Sequence, residues 1–146
     1  MSKTIVLATD HAGFELKEHV KSFLQNKGYN IKDFGALEYD SLDDYPDFII
    51  PAAKHIAEHN LIGIIFGGSG QGEAMAANRI KGIRAAVFYN GPNEIVELSR
   101  MHNNANILSI GARFLSNQEA ESIIELWLST DFEEGRHEKR INKLDS

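Results

Sequence analysis

The chain is 146 residues long, enough for one domain with its own core. Its formal net charge of −6 argues against bulk nucleic-acid affinity while leaving room for a local basic pocket. It has no cysteine, which excludes disulfides, thiolate metal sites and a thiol nucleophile and makes a reducing, cytoplasmic setting the expectation. No apolar run approaches membrane-spanning length, and no secretory apolar region follows Met1, so no membrane association is expected.

Thr4–Ala8 is short and β-rich and reads as a buried strand, followed by the loop Thr9-Asp10-His11-Ala12-Gly13. Phe14–Asn26 has helical spacing, with Phe14, Leu16, His19, Val20, Phe23 and Leu24 largely on one face and Lys27-Gly28 as its stop. Asn30–Phe34 reads as a second strand. Gly35–Pro46 is a polar loop whose acids, Glu38, Asp40, Asp43 and Asp44, read as a solvated surface that Tyr45 and Pro46 fold back toward a site. Asp47 is the expected N-cap of a helix to about Glu58, with Pro51 near its first turn.

Leu61–Phe66 is the third strand. A glycine-dense turn follows, then a short helix over Glu73–Arg79 ended by Lys81-Gly82. Ile83–Phe88 and Asn106–Ile110 read as strands on either side of a helix at Pro92–Met101. Ser116 and Glu119 fit a capping box opening a helix to about Leu128, and the charged tail from Phe132 carries a short helix. Strands alternate with helices throughout. The expected fold is therefore a three-layer α/β/α, Rossmann-like single domain over residues 1–146, with a five-stranded parallel sheet.

Ligands in this architecture bind beyond the carboxyl ends of the strands. Asp10-His11, Gly67–Glu73 and Gly111-Ala112-Arg113 fall there. His102-Asn103-Asn104 instead precedes the fifth strand, at the opposite end of the sheet. A residue there is badly placed for its own subunit's pocket and better placed for a neighbour's.

The turn Gly67-Gly68-Ser69-Gly70-Gln71-Gly72-Glu73 dominates the pattern. Its glycines permit a tight turn and let backbone N–H groups face a ligand, with a helix start aimed at the same spot. A phosphate-gripping P-loop needs lysine where Glu73 stands. A dinucleotide turn needs one more residue and a place after the first strand, and a nucleophile elbow needs glycine at Gln71. Glu73 puts a carboxylate where a bound phosphate is repelled. This suits a site that removes a proton and holds the resulting anion. The plainer readings are a tight turn and a first-turn acid favoured by the helix dipole.

Together with that turn, Thr9-Asp10-His11-Ala12-Gly13, Asp44-Tyr45-Pro46, Ala76-Ala77-Asn78-Arg79, Gly82-Ile83-Arg84-Ala85, Ser99-Arg100-Met101-His102-Asn103, Gly111-Ala112-Arg113 and Gly135-Arg136-His137 through Arg140 span the chain in order. In these pieces it resembles the ribose-5-phosphate isomerase B (RpiB/LacAB) family of sugar-phosphate isomerases. One branch of that family has cysteine at the first position of the turn. Here that position is Gly67, and Glu73 matches the glutamate base of the other branch.

The resemblance implies aldose–ketose isomerisation of ribose 5-phosphate and ribulose 5-phosphate through a cis-enediolate. It makes Glu73 the base, with the backbone of Gly68, Gly70, Gln71 and Gly72 around the oxyanion. Ser69 orients the sugar oxygens or relays a proton. His102, assisted by Asp10, opens the sugar ring, and Asn103 hydrogen-bonds the sugar. Arg113, Arg136 and Arg140, with His11, hold the phosphate; the plainer reading of the two tail arginines pairs them with Glu133, Glu134 or Glu138. It implies a homodimer or dimer of dimers with shared sites, the tail from about 132 packing on a partner subunit. No metal or organic cofactor is called for, since a proton shift carries no redox change. The alternatives are another sugar phosphate (allose 6-phosphate, galactose 6-phosphate or a tetrose phosphate) and a non-catalytic sugar-phosphate-binding module.

Overall fold

The structure is a computed structural model that describes residues 3–146. Five strands form one wholly parallel sheet: β1 (Thr4–Thr9), β2 (Asn30–Asp33), β3 (Ile62–Gly67), β4 (Ala85–Phe88) and β5 (Ile107–Gly111), in the order β2-β1-β3-β5-β4. Between and after them lie α1 (Phe14–Asn26), α2 (Pro46–His59), α3 (Gln71–Ala77), α4 (Asn93–Met101), α5 (Asn117–Ser129) and α6 (Arg136–Ile141).

Alternation along the central strands builds two cores. Ile5 and Leu7 of β1, Ile64 and Phe66 of β3, and Leu108 and Ile110 of β5 face one way, against Leu16, Val20 and Leu24 of α1 and Ile124 and Trp127 of α5. Val6, Ala8, Ile65 and Ile107 face the other, against Ile49, Ala53 and Ile56 of α2 and Ala76 and Ala77 of α3. A strand buried on both faces reads as a continuous apolar run, which is how β1 and β3 appear in the sequence.

The chain leaves β1 toward β2 on one side, then crosses back to lay β3 on the other. The carboxyl ends of β1 and β3 therefore open a crevice between diverging connections, the place such sheets use for ligands. Asp10 leaves β1 there, and the glycine turn leaves β3 there.

Several boundaries differ from expectation. Tyr45 occupies the N-cap position of α2 without a side-chain cap, and Asp47 lies in the first turn. Pro46 supplies the first helical φ, a position proline favours. Pro51 is inside α2 rather than at its start. α3 ends at Ala77, before Lys81-Gly82. There the Asn78 side chain takes over as a strand-like partner, donating to Ala85 O at 3.0 Å and accepting from Ala85 N–H at 2.8 Å. The Ser116–Glu119 capping box is present as read.

Candidate active site

The glycine turn is braced from β5 and from the short turn that follows it. Ser109 Oγ donates to Gly70 O at 2.6 Å, and Arg113 N–H donates to Gly68 O at 3.1 Å. Gly70 has a φ of 79°, and a Cβ there would lie 3.0 Å from the backbone of Ile110. The turn thus needs glycine for its conformation and for close approach. Ser69 Oγ accepts from Gln71 N–H at 3.3 Å, a bond that stabilises the turn.

Glu73 sits in the first turn of α3 and is 5% exposed. Its carboxylate folds back over the end of β3: a Cβ on Gly67 would lie 2.0 Å from Glu73 Cδ and 2.1 and 2.2 Å from its two oxygens. The space of a side chain at 67 is filled by the acid at 73, so one excludes the other. Burial pushes the Glu73 carboxyl above the ordinary glutamate value, its own backbone N–H draws it down, and the nearby Asp10 carboxylate raises it. A carboxylate so desolvated is a stronger base than an exposed one.

The residues after β1 and β5 close the same crevice. Asp10 is buried and caps the short turn His11–Gly13 by accepting from Ala12 N–H at 3.0 Å. His11 is joined to the acidic loop: Asp43 Oδ1 accepts from the His11 backbone N–H at 3.0 Å and lies 2.7 Å from His11 Nδ1. The Asp43 hydrogen bond is the main cause that raises the His11 pKa; burial and Arg113 oppose it, and Asp10 supports it. Tyr45 lies against the turn, its hydroxyl 2.9 Å from where a Cβ on Gly72 would be. The Arg113 guanidinium lies 3.1 Å from a Cβ position on Gly68 and forms no ion pair among the described residues.

A second cluster occupies the other end of the sheet. β5 starts at Ile107 opposite Gly63, and His102 caps the carboxyl end of α4 just before it. His102 stacks on His137 of α6, ring centroids 4.3 Å apart and planes at 13°. Glu133 Oε1 lies 3.4 Å from His102 Nε2 and 3.7 Å from His137 Nε2. Burial lowers the His137 pKa, as do the neighbouring His102 and Arg136 side chains. A cavity of about 280 Å³ here is lined by His102, Asn103, His137, Arg140, Ile141 and Leu144. Arg136 and Arg140 are exposed, i,i+4 on α6, and form no ion pair among the described residues. The expected alternative, pairing with Glu133, Glu134 or Glu138, is not observed. Their charge is available for an anion.

The predicted residues therefore fall into two groups. Asp10, His11, Gly68, Ser69, Gly70, Gln71, Gly72, Glu73 and Arg113 converge at the carboxyl end of the sheet. His102, Asn103, Arg136 and Arg140 converge at the amino end. The tail contacts its own chain, with Glu133 N–H donating to Met101 O at 3.0 Å and Asp145 accepting from Gly82 N–H at 2.8 Å. Sequence reasoning passed over Asp43, His137 and Glu133. The polar loop presents Asp43 as a solvated acid, yet its side chain is 8% exposed. Four acids in one loop give no signal as to which turns inward. The His102–His137 contact needs the tail to return to the end of α4, which no local pattern encodes.

Each cluster gathers three metal-capable side chains, Asp10 with His11 and Asp43, and His102 with Glu133 and His137. Neither is shaped as a cage. His11 Nδ1 is taken up by Asp43. The stacked rings of His102 and His137 hold their in-plane lone pairs in separate, nearly parallel planes, which cannot meet on one ion. Among the described residues, no helix is long and apolar enough to cross a membrane.

The family model for Ribose/Galactose Isomerase matches residues 5–144. The chain belongs to this family. Among its relatives, ribose-5-phosphate isomerase B of Mycolicibacterium paratuberculosis is 41% identical over 142 residues, covering 96% of this chain and 88% of the relative. The probable ribose-5-phosphate isomerase B of Mycoplasma genitalium is 38% identical over 146 residues, covering 99% and 95%. The crystal structure of ribose-5-phosphate isomerase B from Mycoplasma genitalium, which contains bound ribulose-5-phosphate, superposes with a TM-score of 0.93 at 38% identity, covering 99% of this chain and 95% of that one. The Thermotoga maritima ribose 5-phosphate isomerase superposes with a TM-score of 0.92 at 42% identity, with 99% coverage of both chains. The Ribose/Galactose Isomerase fold thus extends over nearly the whole described chain.

Proposed function

We propose that this chain interconverts ribose 5-phosphate and ribulose 5-phosphate, with Glu73 as the base. The observation that carries the reading is the buried Glu73 carboxylate seated over Gly67. Glu73 takes the proton from C2 of the open-chain aldose. The electron pair moves into a C1–C2 double bond and leaves negative charge on O1. The same acid returns the proton to C1 while the C2 hydroxyl loses its own, giving the ketose. Backbone N–H groups around Gly70–Gly72 stabilise the cis-enediolate, and Ser69 passes the proton between the two oxygens.

The composite site spans two subunits. His102, Asn103, Arg136 and Arg140 sit at the wrong end of the sheet for their own Glu73, and a two-fold dimer places one subunit's amino-end cluster over its partner's carboxyl-end cluster, twice. β4 is an edge strand, and Met75 beside it is 60% exposed, which leaves an apolar face for a partner. His102 of the partner then serves ring opening with Asp10. Arg113 and His11 meet the phosphate together with the partner's Arg136 and Arg140.

A coupled assay across ribose 5-phosphate, allose 6-phosphate, galactose 6-phosphate and a tetrose phosphate tests the substrate. Glu73→Gln should keep substrate binding and lose about 10²–10⁴ in kcat. Near-wild-type turnover in Glu73→Ala rejects the base assignment, and turnover confined to another sugar rejects ribose 5-phosphate.

A further inference from the structure

His11 and Asp43 are 32 positions apart in sequence, yet one carboxylate oxygen serves both the backbone N–H and the ring of the histidine. This is more than a loop anchor requires. A single bond to the backbone fixes the loop; the bond to Nδ1 fixes the ring. Tyr39, from the same loop, sets its ring edge-on to the imidazole, centroids 6.2 Å apart at 89°, and limits its rotation from another side. With Nδ1 engaged, Nε2 is the ring atom left to meet a ligand in the crevice.

The Asp43 carboxylate is itself exacting. Its side chain is 8% exposed, and Oδ2 is buried with no hydrogen-bond partner among the described residues. A carboxylate withdrawn from water on one oxygen depends on a cation at the other. The charged and titratable groups facing His11 are Asp10, Tyr39, Asp43 and Arg113; Asp43 and Asp10 draw a proton onto the ring and Arg113 opposes it.

We propose that Asp43 is a positioning residue, holding His11 so that its Nε2–H is presented to the phosphate of the substrate. The pair acts as a relay of orientation and charge. Asp43 never touches the substrate, and its effect passes wholly through the imidazole. The phosphate role of His11 rests on the function proposed above; the bond between Asp43 and the ring does not.

Asp43→Ala, Asp43→Asn, His11→Ala and the His11→Ala/Asp43→Asn double variant separate the two. Asp43→Ala should raise KM for ribose 5-phosphate, and the inhibition constant of inorganic phosphate, by about tenfold, with kcat changed less than about threefold. Asp43→Asn keeps a carbonyl acceptor for both N–H groups and should show a smaller rise. Should Asp43→Ala fail to fold by circular dichroism, Asp43→Asn decides alone. In the His11→Ala background, Asp43→Asn should add nothing. NMR titration of the His11 ring should show its midpoint falling toward 6.5 in Asp43→Asn. Additive effects in the double variant, a kcat loss at unchanged KM, or an unmoved His11 titration overturns the proposal. A protein inactive on ribose 5-phosphate rejects the substrate reading, and the NMR arm still decides the pair.

Discussion

Glu73 trades stability for reactivity. Its folded-state pKa lies above the ordinary value because burial disfavours the charged form. The native state therefore holds this proton more tightly than the unfolded chain does. Stability from this group falls as pH rises through the window between the unfolded pKa, about 4.3, and the raised folded one. Above that window the buried charge is a standing cost. Glu73→Gln should then melt higher than wild type at neutral pH, with the gain vanishing at pH values below the window. Thermal melts of both proteins across pH check this, and equal Tm values at neutral pH reject it. On the proposed base role the same titration should set the acid limb of kcat/KM, with activity lost as pH falls through the raised value. Gly67 belongs to this account, since any side chain there evicts the acid.

At the scale of elements, the crevice wall depends on a buried ion pair. Lys17 of α1 is fully buried, and its Nζ lies 2.8 Å from both oxygens of Asp33 at the end of β2 and 2.7 Å from Ala36 O. Burial works against the Asp33 carboxylate, but Lys17, the Gly35 N–H and Lys21 hold it below its ordinary value. These bonds fix the start of the loop that carries Tyr39, Asp43 and Tyr45. Lys17→Met removes the main partner and strands a carboxylate whose side chain is 7% exposed. Loss of about 3 kcal/mol in urea unfolding at pH 7 is expected. Because the Asp33 contribution is present above its unfolded pKa and is lost as pH falls through the lower folded one, the deficit should shrink in acid. A loss below about 0.5 kcal/mol at pH 7 contradicts this view of the loop. The α1 pattern shows Leu16, Val20 and Leu24 as a core stripe, and it gives no hint that Lys17 is as deeply buried, because its partners come from β2 and the following loop.

At the scale of the whole molecule, the two clusters at opposite ends of a parallel sheet are the decisive feature. On the proposed shared-site dimer, mixing Glu73→Ala with His102→Ala subunits should restore activity, since one of the two sites in each heterodimer would keep both residues intact. Verified heterodimers without recovered activity reject the shared site. The strand order explains why the carboxyl-end cluster forms at all: β1 and β3 are neighbours whose connections diverge, so Asp10 and Glu73 meet although 63 positions separate them in sequence.

The alternation of strands and helices, the α1 and α5 boundaries, the glycine turn and Glu73 as its acid are all legible along the chain. These follow from periodicity, capping and the conformational demands of glycine, all local in the chain. Folding alone puts the Glu73 carboxylate in the space over Gly67, turns Asp43 rather than its acidic neighbours inward to His11, and brings His102 against His137. Each of those depends on burial or on contact between distant segments, which spacing along one chain does not record.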